Sequence, residues 1–525
     1  MITEERLSKL PRWIKEFTMF LRKFRIPGKI IVISVSVLAT IWFLLRVIPK
    51  PSRATYPCMQ IAAPFMSGLV IWLLSLSGSV LAFRKARNRF IRGRYLSALL
   101  FLLVSAVAVV IYSSHSSVPA SASSLDTWYK PNIPLGTARG IFPGRVAWGH
   151  NPKVASWDGT TGSWWDDKFN NQQENDRLFS QTIIALTGKK NEKEAWNAVF
   201  TYFNKTRRNS DKGYQKGEKI AIKINENNTS SHENTNEINA NPQVILSLLA
   251  SLVNAGGVPQ ENITVADPSR FITNNIFDKC HQAFPGVHFV DHNGGDGREK
   301  AEFVQNAIPY SVDNGKVSTS LAKCMVDANY IINLALMKGH VSQGVTLCGK
   351  NYFGCTGIET DWRKNAHSSG FSQNREGKRT YSVFADYMGH KDLGGKTMLF
   401  LVDGVYGNKF VDKVPAYKWA LPPFNNQWPN SLFASQDGVA IDAVVLDFAL
   451  AEWPDAPDMK YSDLYLEEMA LADNPPSGTA YDPEKDGSKL ASLGVTEHWN
   501  NPKDKQYTRN LATGNGIELV YKLVK

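Results

Sequence analysis

Residues 219–266 read KIAIKINENNTSSHENTNEINANPQVILSLLASLVNAGGVPQENITVA. Two short apolar runs, residues 219–224 and 262–266, have the length and composition of strands. Between them, residues 242–254 are apolar at helical spacing. Pro242 stands in the first turn of that helix, and Gly256 and Gly257 fall just past its end. Strand, helix, strand in this order is the unit of a parallel sheet, because parallel neighbours need a crossover connection. The alternation continues outward. Helices are predicted over 192–204, 274–284 and 438–453, with a helix start in 345–353. Further strands are predicted over 287–290, 329–333, 398–402 and 432–435. The fold class expected is α/β: a mainly parallel sheet with helices on both faces, occupying residues 191–453. Residues 131–190 read as an irregular arm, with Trp148, Trp157, Trp164 and Trp165 clustered in it. Those rings are expected to be core anchors; stacking on sugar rings is the alternative. Residues 454–525 read as a peripheral C-terminal extension.

In an open parallel sheet, ligands bind beyond the carboxyl ends of the strands. The residues following each apolar run are therefore the candidates: Asn225, Asp267, Asn333, then Lys338 and His340, Asp403, and Asp437. Asp and Asn also cap helices and turn loops, and Asp437 sits where an N-cap is expected. Capping does not account for Lys338, His340 and Lys350 in the same region. A rim with several cations suits an anionic ligand.

Residues 333–357 read NLALMKGHVSQGVTLCGKNYFGCTG and hold five glycines. Such a loop lets backbone approach a ligand and can present N–H groups to an anion. It is neither a P-loop nor a dinucleotide-binding glycine fingerprint. The stretch resembles the signature of domain-of-unknown-function family 362: a strand ending in Asn, then Lys-x-His, then Thr, then Lys-Asn-x-x-Gly. These fall on Asn333, Lys338, His340, Thr346, Lys350, Asn351 and Gly354. EKIAIKIN resembles the family's opening strand, FASQDGVAIDAVVLD its closing helix, and LVDGVYG the segment before that helix, without the Gly-Pro often found shortly after. The resemblance spans about residues 217–451. It implies no assigned activity. Some members are fused to ferredoxin-like iron–sulfur modules, but Cys-x-x-Cys is absent here, so that redox role does not carry over.

The net charge of +11 is unevenly placed. Residues 1–94 hold 17 Lys/Arg against three Asp/Glu, a balance of +14, which leaves −3 for residues 95–525. A nucleic-acid binder would carry its basic patch on the folded domain; no nucleic-acid partner is expected. The positive charge instead flanks three apolar segments, residues 30–48, 62–83 and 95–112, each roughly 18–22 residues and long enough to span a bilayer as a helix. Eight Lys/Arg precede the first segment, two lie between the first and second, and six between the second and third. The positive-inside rule then orients the chain. Residues 1–29 form a basic cytoplasmic tail, residues 30–112 a three-helix transmembrane anchor, residues 113–130 a polar linker, and the remainder faces away from the cytoplasm. An inner (cytoplasmic) membrane with the domain in a periplasm fits best. The expected partners are the lipid bilayer and a membrane protein docking on the three helices through Gly68, Ser75 and Gly78.

Five cysteines are present: Cys58, Cys280, Cys324, Cys348 and Cys355. The four in the domain allow three pairings, among which spacing does not choose. No zinc spacing occurs among the Cys and His residues, so no metal is assigned and the cofactor is unknown. Two classes of function remain, with a redox-associated role as a third. The first is an enzyme acting on a small anionic or polar substrate, with His340 as general acid/base and Lys338 and Lys350 holding negative charge. Asn225, Asp267, Asn333, Thr346, Asn351, Gly354, Asp403 and Asp437 would then line the substrate site. The second is a non-enzymatic, membrane-tethered assembly factor.

Overall fold

The computed structural model describes residues 133–525, apart from residues 228, 342, 359–379, 412 and 457. The tail, the three apolar segments and the whole linker lie outside the described residues. Among the described residues, no helix is long and apolar enough to cross a membrane.

A ten-stranded sheet organises the domain. Its strands are β1 (Arg145–His150), β2 (Ile220–Lys223), β3 (Ile263–Asp267), β4 (His288–Asp291), β5 (Glu299–Lys300), β6 (Tyr330–His340), β7 (Gly344–Thr346), β8 (Thr397–Asn408), β9 (Ser431–Ser435) and β10 (Glu518–Leu523). The spatial order is β10-β1-β9-β8-β6-β2-β3-β4-β5, with β7 hydrogen-bonded to β6. Only β7 and β9 run against the others. The sheet is thus mainly parallel, as the strand–helix alternation predicts.

The helices include α1 (Gln172–Thr187), α2 (Glu192–Arg208), α3 (Pro242–Asn254), α4 (Asn274–Ala283), α5 (Cys348–Asn351), α6 (Val383–Gly389), α7 (Gly438–Glu452) and α8 (Asp463–Ala470), with one further short helix at Lys323–Val326. Their ends carry the expected chemistry. Asn171, Asn191, Asn241 and Asp437 accept backbone N–H groups in the first turns of α1, α2, α3 and α7. Alternate residues along a strand feed two hydrophobic layers. Ile220 and Ile222 face Leu248 and Leu249 of α3, whereas Ala221 belongs with Val444 and Phe448 of α7. Helices therefore cover both faces, which is why the central strands read as unbroken apolar runs.

Two expectations need correction. The segment 131–190 is not merely an irregular arm, because it supplies β1 and α1 to the domain. The tail beyond residue 453 is not peripheral: β10 pairs parallel with β1 from Glu518–Arg145 to Leu523–His150. Residues 135–136 and 495–496 add a small second ladder between the same two segments. Of the clustered tryptophans, Trp148, Trp157 and Trp164 are core residues; Trp157 stacks on Trp428 with ring centroids 5.8 Å apart. Trp165 is half-buried and donates from its ring N–H to Thr235 O.

Candidate functional site

The carboxyl ends of β2 and β3 lie side by side in the sheet, and the β6–β7 hairpin overhangs the same edge. Lys338 and Thr346 are direct partners across that hairpin. After β7 the chain turns into α5, which carries Lys350 and Asn351. Together these elements enclose a cleft of about 180 Å³. Eight of the residues predicted from sequence line it: Asn225, Asp267, Lys338, His340, Thr346, Lys350, Asn351 and Gly354. Lys223, Glu226, Asn227, Ser269, Arg270 and Phe353 complete the wall.

The floor is a buried polar network. Lys223 is 1% exposed; its ammonium donates to Ile224 O and to Asn351 Oδ1 at 3.1 Å, and forms an ion pair with Asp267 Oδ2 at 3.1 Å. Two hydrogen bonds and one carboxylate partner are what a buried lysine side chain requires. Asp267 Oδ2 also accepts the Glu226 N–H at 2.8 Å. Asn351 is the hub. Its Oδ1 also accepts from Asn225 Nδ2, and its Nδ2 donates to Asn333 Oδ1 at 2.8 Å and to Leu334 O at 3.2 Å. Asn333 Nδ2 in turn donates to Cys348 O. The paired asparagines tie the middle of β6 to α5.

Asp442, on α7, holds α5 from behind. Its two oxygens accept the Cys348 and Gly349 N–H groups at 2.8 and 2.9 Å, and Tyr465 donates to it at 3.2 Å. Burial pushes the Asp442 carboxyl up to about 7, against those hydrogen bonds. This residue presents Lys350 and Asn351 to the cleft without entering it.

The cleft is electropositive. Lys223, Arg270, Lys338 and Lys350 face Asp267 and Glu226. Burial, and then the neighbouring Asp267, pushes Glu226 well above the usual carboxylate range. Among the described residues, four basic side chains and two carboxyls line the cleft. Arg270 is oriented by donating to Asn227 O at 2.7 Å and Ser269 O at 3.2 Å. Lys338 donates to Val411 O at 3.0 Å.

Three predicted residues are elsewhere, each for a topological reason. Asn333 lies beneath the cleft, because β6 runs on to His340 instead of ending at residue 333. Asp403 falls inside β8, which continues to Asn408. It accepts the Asn241 and Val405 N–H groups at 3.2 and 3.0 Å, and burial pushes it up to about 6. Asp437 follows β9, which is antiparallel to β8, so it emerges at the opposite edge of the sheet. There it caps α7 and accepts the Arg139 and Val495 N–H groups. The glycines also divide. Gly344 makes the turn into β7 at φ +76°, and only Gly354 borders the cleft. Lys223, Glu226 and Arg270 are not among the predicted site residues, although Glu226 and Arg270 follow the two strands in sequence and a lysine inside an apolar strand is a visible signal.

Cys280, Cys324, Cys348 and Cys355 are free thiols, so none of the three pairings forms. Among the described residues, no group of three or more His, Cys, Asp and Glu is placed to hold a metal ion.

Residues 220–447 match the family model described as domain of unknown function (DUF362). This part of the chain belongs to that family. The DUF362 domain thus begins at β2 and ends within α7, and contains every residue of the cleft. β1, α1, α2, α8 and β10 lie outside it yet share its sheet and core. No curated protein and no solved structure matches the chain.

Proposed function

We propose that the chain is a membrane-anchored, extracytoplasmic α/β enzyme that acts on a small anionic substrate in the cleft beyond β2, β3 and the β6–β7 hairpin. One observation carries this reading: Arg270, Lys338 and Lys350, from three separate segments, share one small cleft with His340. Lysine and arginine side chains in a partly enclosed, partly dry cleft hold an oxyanion more strongly than they would in open water. Among the described residues, His340 is the imidazole that lines the cleft, and it supplies or takes the proton of the reaction. The floor beneath is rigid, as a catalytic constellation requires. The anchor and orientation rest on residues 30–112 and their Lys/Arg asymmetry.

Calorimetric titration of the full chain in lipid nanodiscs with inorganic phosphate tests the anion site. Arg270→Ala and Lys350→Ala are each expected to weaken binding about tenfold or more, the cost of losing a charge-assisted hydrogen bond. Binding unchanged in both variants would refute the site. A reporter active only in the cytoplasm, fused after Lys525, is expected to stay silent; activity there would sink the topology.

A further inference from the structure

The cleft is not uniformly basic. Three buried oxygens on its wall have no hydrogen-bond partner: Asn225 Oδ1, Asp267 Oδ1 and Thr346 Oγ1. Each belongs to a residue otherwise pinned or enclosed. Asn225 spends its amide N–H on Asn351, and Asp267 spends Oδ2 on Lys223 and the Glu226 N–H. Asp267 and Thr346 are each 1% exposed. A buried oxygen left unpaired costs about 1–3 kcal/mol, so three in one small space mark where a ligand's donors belong.

Gly354 points to the same place. A Cβ built there would stand 2.7 Å from Lys223 Nζ and 2.9 Å from Asp267 Oδ1. Only a residue without a side chain can lie this close to the Lys223–Asp267 pair on the cleft wall.

The donor needed is neutral. Lys223 Nζ sits 3.1 Å from the other oxygen of the same carboxylate, and Lys338 and Lys350 line the same cleft. A second ammonium or a bare metal ion would be repelled; a hydroxyl would not. We propose that the substrate of the cleft is a hydroxylated anion, its charged group held by Arg270, Lys338 and Lys350 and its hydroxyl donating to Asp267 Oδ1 or Asn225 Oδ1. This rests on the anion site proposed above and specifies what else its ligand must carry.

Two matched probe pairs separate the claims on the full chain in nanodiscs: glycerol 1-phosphate against propyl phosphate, and glycerate against propionate. Sites built to hydrogen-bond a hydroxyl discriminate strongly against analogues lacking it. The hydroxylated member of at least one pair is expected to bind tenfold tighter or better. Asn225→Ala and the near-isosteric Thr346→Val are expected to shrink that ratio, and Gly354→Ala to abolish it. Equal affinity within both pairs would overturn the hydroxyl requirement while leaving the anion site standing. Affinities raised equally for both members by magnesium would place a cation on these oxygens and overturn it too. Failure of all four probes and of inorganic phosphate to bind would bring down the anion site itself.

Discussion

Lys223 shows how one residue organises the cleft floor. Its ammonium and the Asp267 carboxylate are both withdrawn from water, and each is tolerable only because the other is present. Lys223→Met should therefore destabilise the protein by about 3–5 kcal/mol, because an uncompensated carboxylate is left buried. Adding Asp267→Asn to the same chain should restore part of that loss; denaturant midpoints of the two variants measure it. Asp442 supplies a test in pH. Its folded-state value is raised to about 7, so the folded state favours the neutral form. The stability this contributes is fully present below about pH 4, where the unfolded carboxyl also binds its proton, and is lost as pH rises through about 7. Asp442→Asn removes that titration. The stability difference between wild type and Asp442→Asn should fall by on the order of 2–4 kcal/mol from pH 4 to pH 8 and then level off. A difference that is flat across this range would contradict the assignment. At every pH the variant should also loosen α5, since one amide face cannot accept the Gly349 or Cys348 N–H.

At the scale of elements, the β6–β7 hairpin is the part that turns a sheet edge into a cleft. Its register places Thr346 opposite Lys338 and Gly344 opposite His340. Gly344 permits this with φ +76°, and a Cβ there would stand 2.2 Å from Ser462 Oγ. Gly344→Ala should cost about 1–3 kcal/mol through backbone strain alone, more with the clash. It should also reduce anion affinity, because the hairpin carries both Lys338 and His340. Thermal unfolding and phosphate titration read the two effects separately. Unchanged affinity in a folded Gly344→Ala protein would mean that the hairpin does not shape the site.

At the scale of the whole molecule, the DUF362 segment does not own its fold. β9 is covered by β1, and β1 by β10, which is the last strand of the chain to join the sheet. Removing residues 516–525 strips the parallel partner from β1, breaks the Arg145–Glu518 pair and exposes an unpaired edge. The truncated chain should unfold at lower temperature and aggregate, although the cleft lies across the sheet on β2, β3 and β6. Size-exclusion profiles of the two forms decide it; an unaltered monomeric profile and melting temperature would count against β10 as a structural strand.

Sequence alone located the central elements and the cleft's address. α3 runs over the predicted residues 242–254, and the positions of β2, β3, β4 and α4 differ from expectation by a residue or so. Local signals suffice there: apolar period, Pro in the first turn, Gly after the last, strands too short to be anything else. Reading the polar residues after each strand located Asn225, Asp267, Lys338 and His340 of the cleft, because a parallel sheet brings such ends to one edge, and the glycine-rich loop with its family resemblance supplied Thr346, Lys350, Asn351 and Gly354. What failed was whatever depends on direction or partner. The run 431–435 looks the same whether it lies parallel or antiparallel, yet its antiparallel setting sends Asp437 to the far edge. The end of a strand is likewise invisible when the next residues find hydrogen-bonding partners, so Asn333 and Asp403 became interior residues. β1 and β10 stabilise each other from opposite ends of the domain, and no local pattern in either announces a neighbour more than 360 residues away. Tertiary structure also decided the roles of Lys223 and Asp442, since a charge in an apolar run becomes intelligible only when the partner that neutralises it, or the backbone it binds, is known.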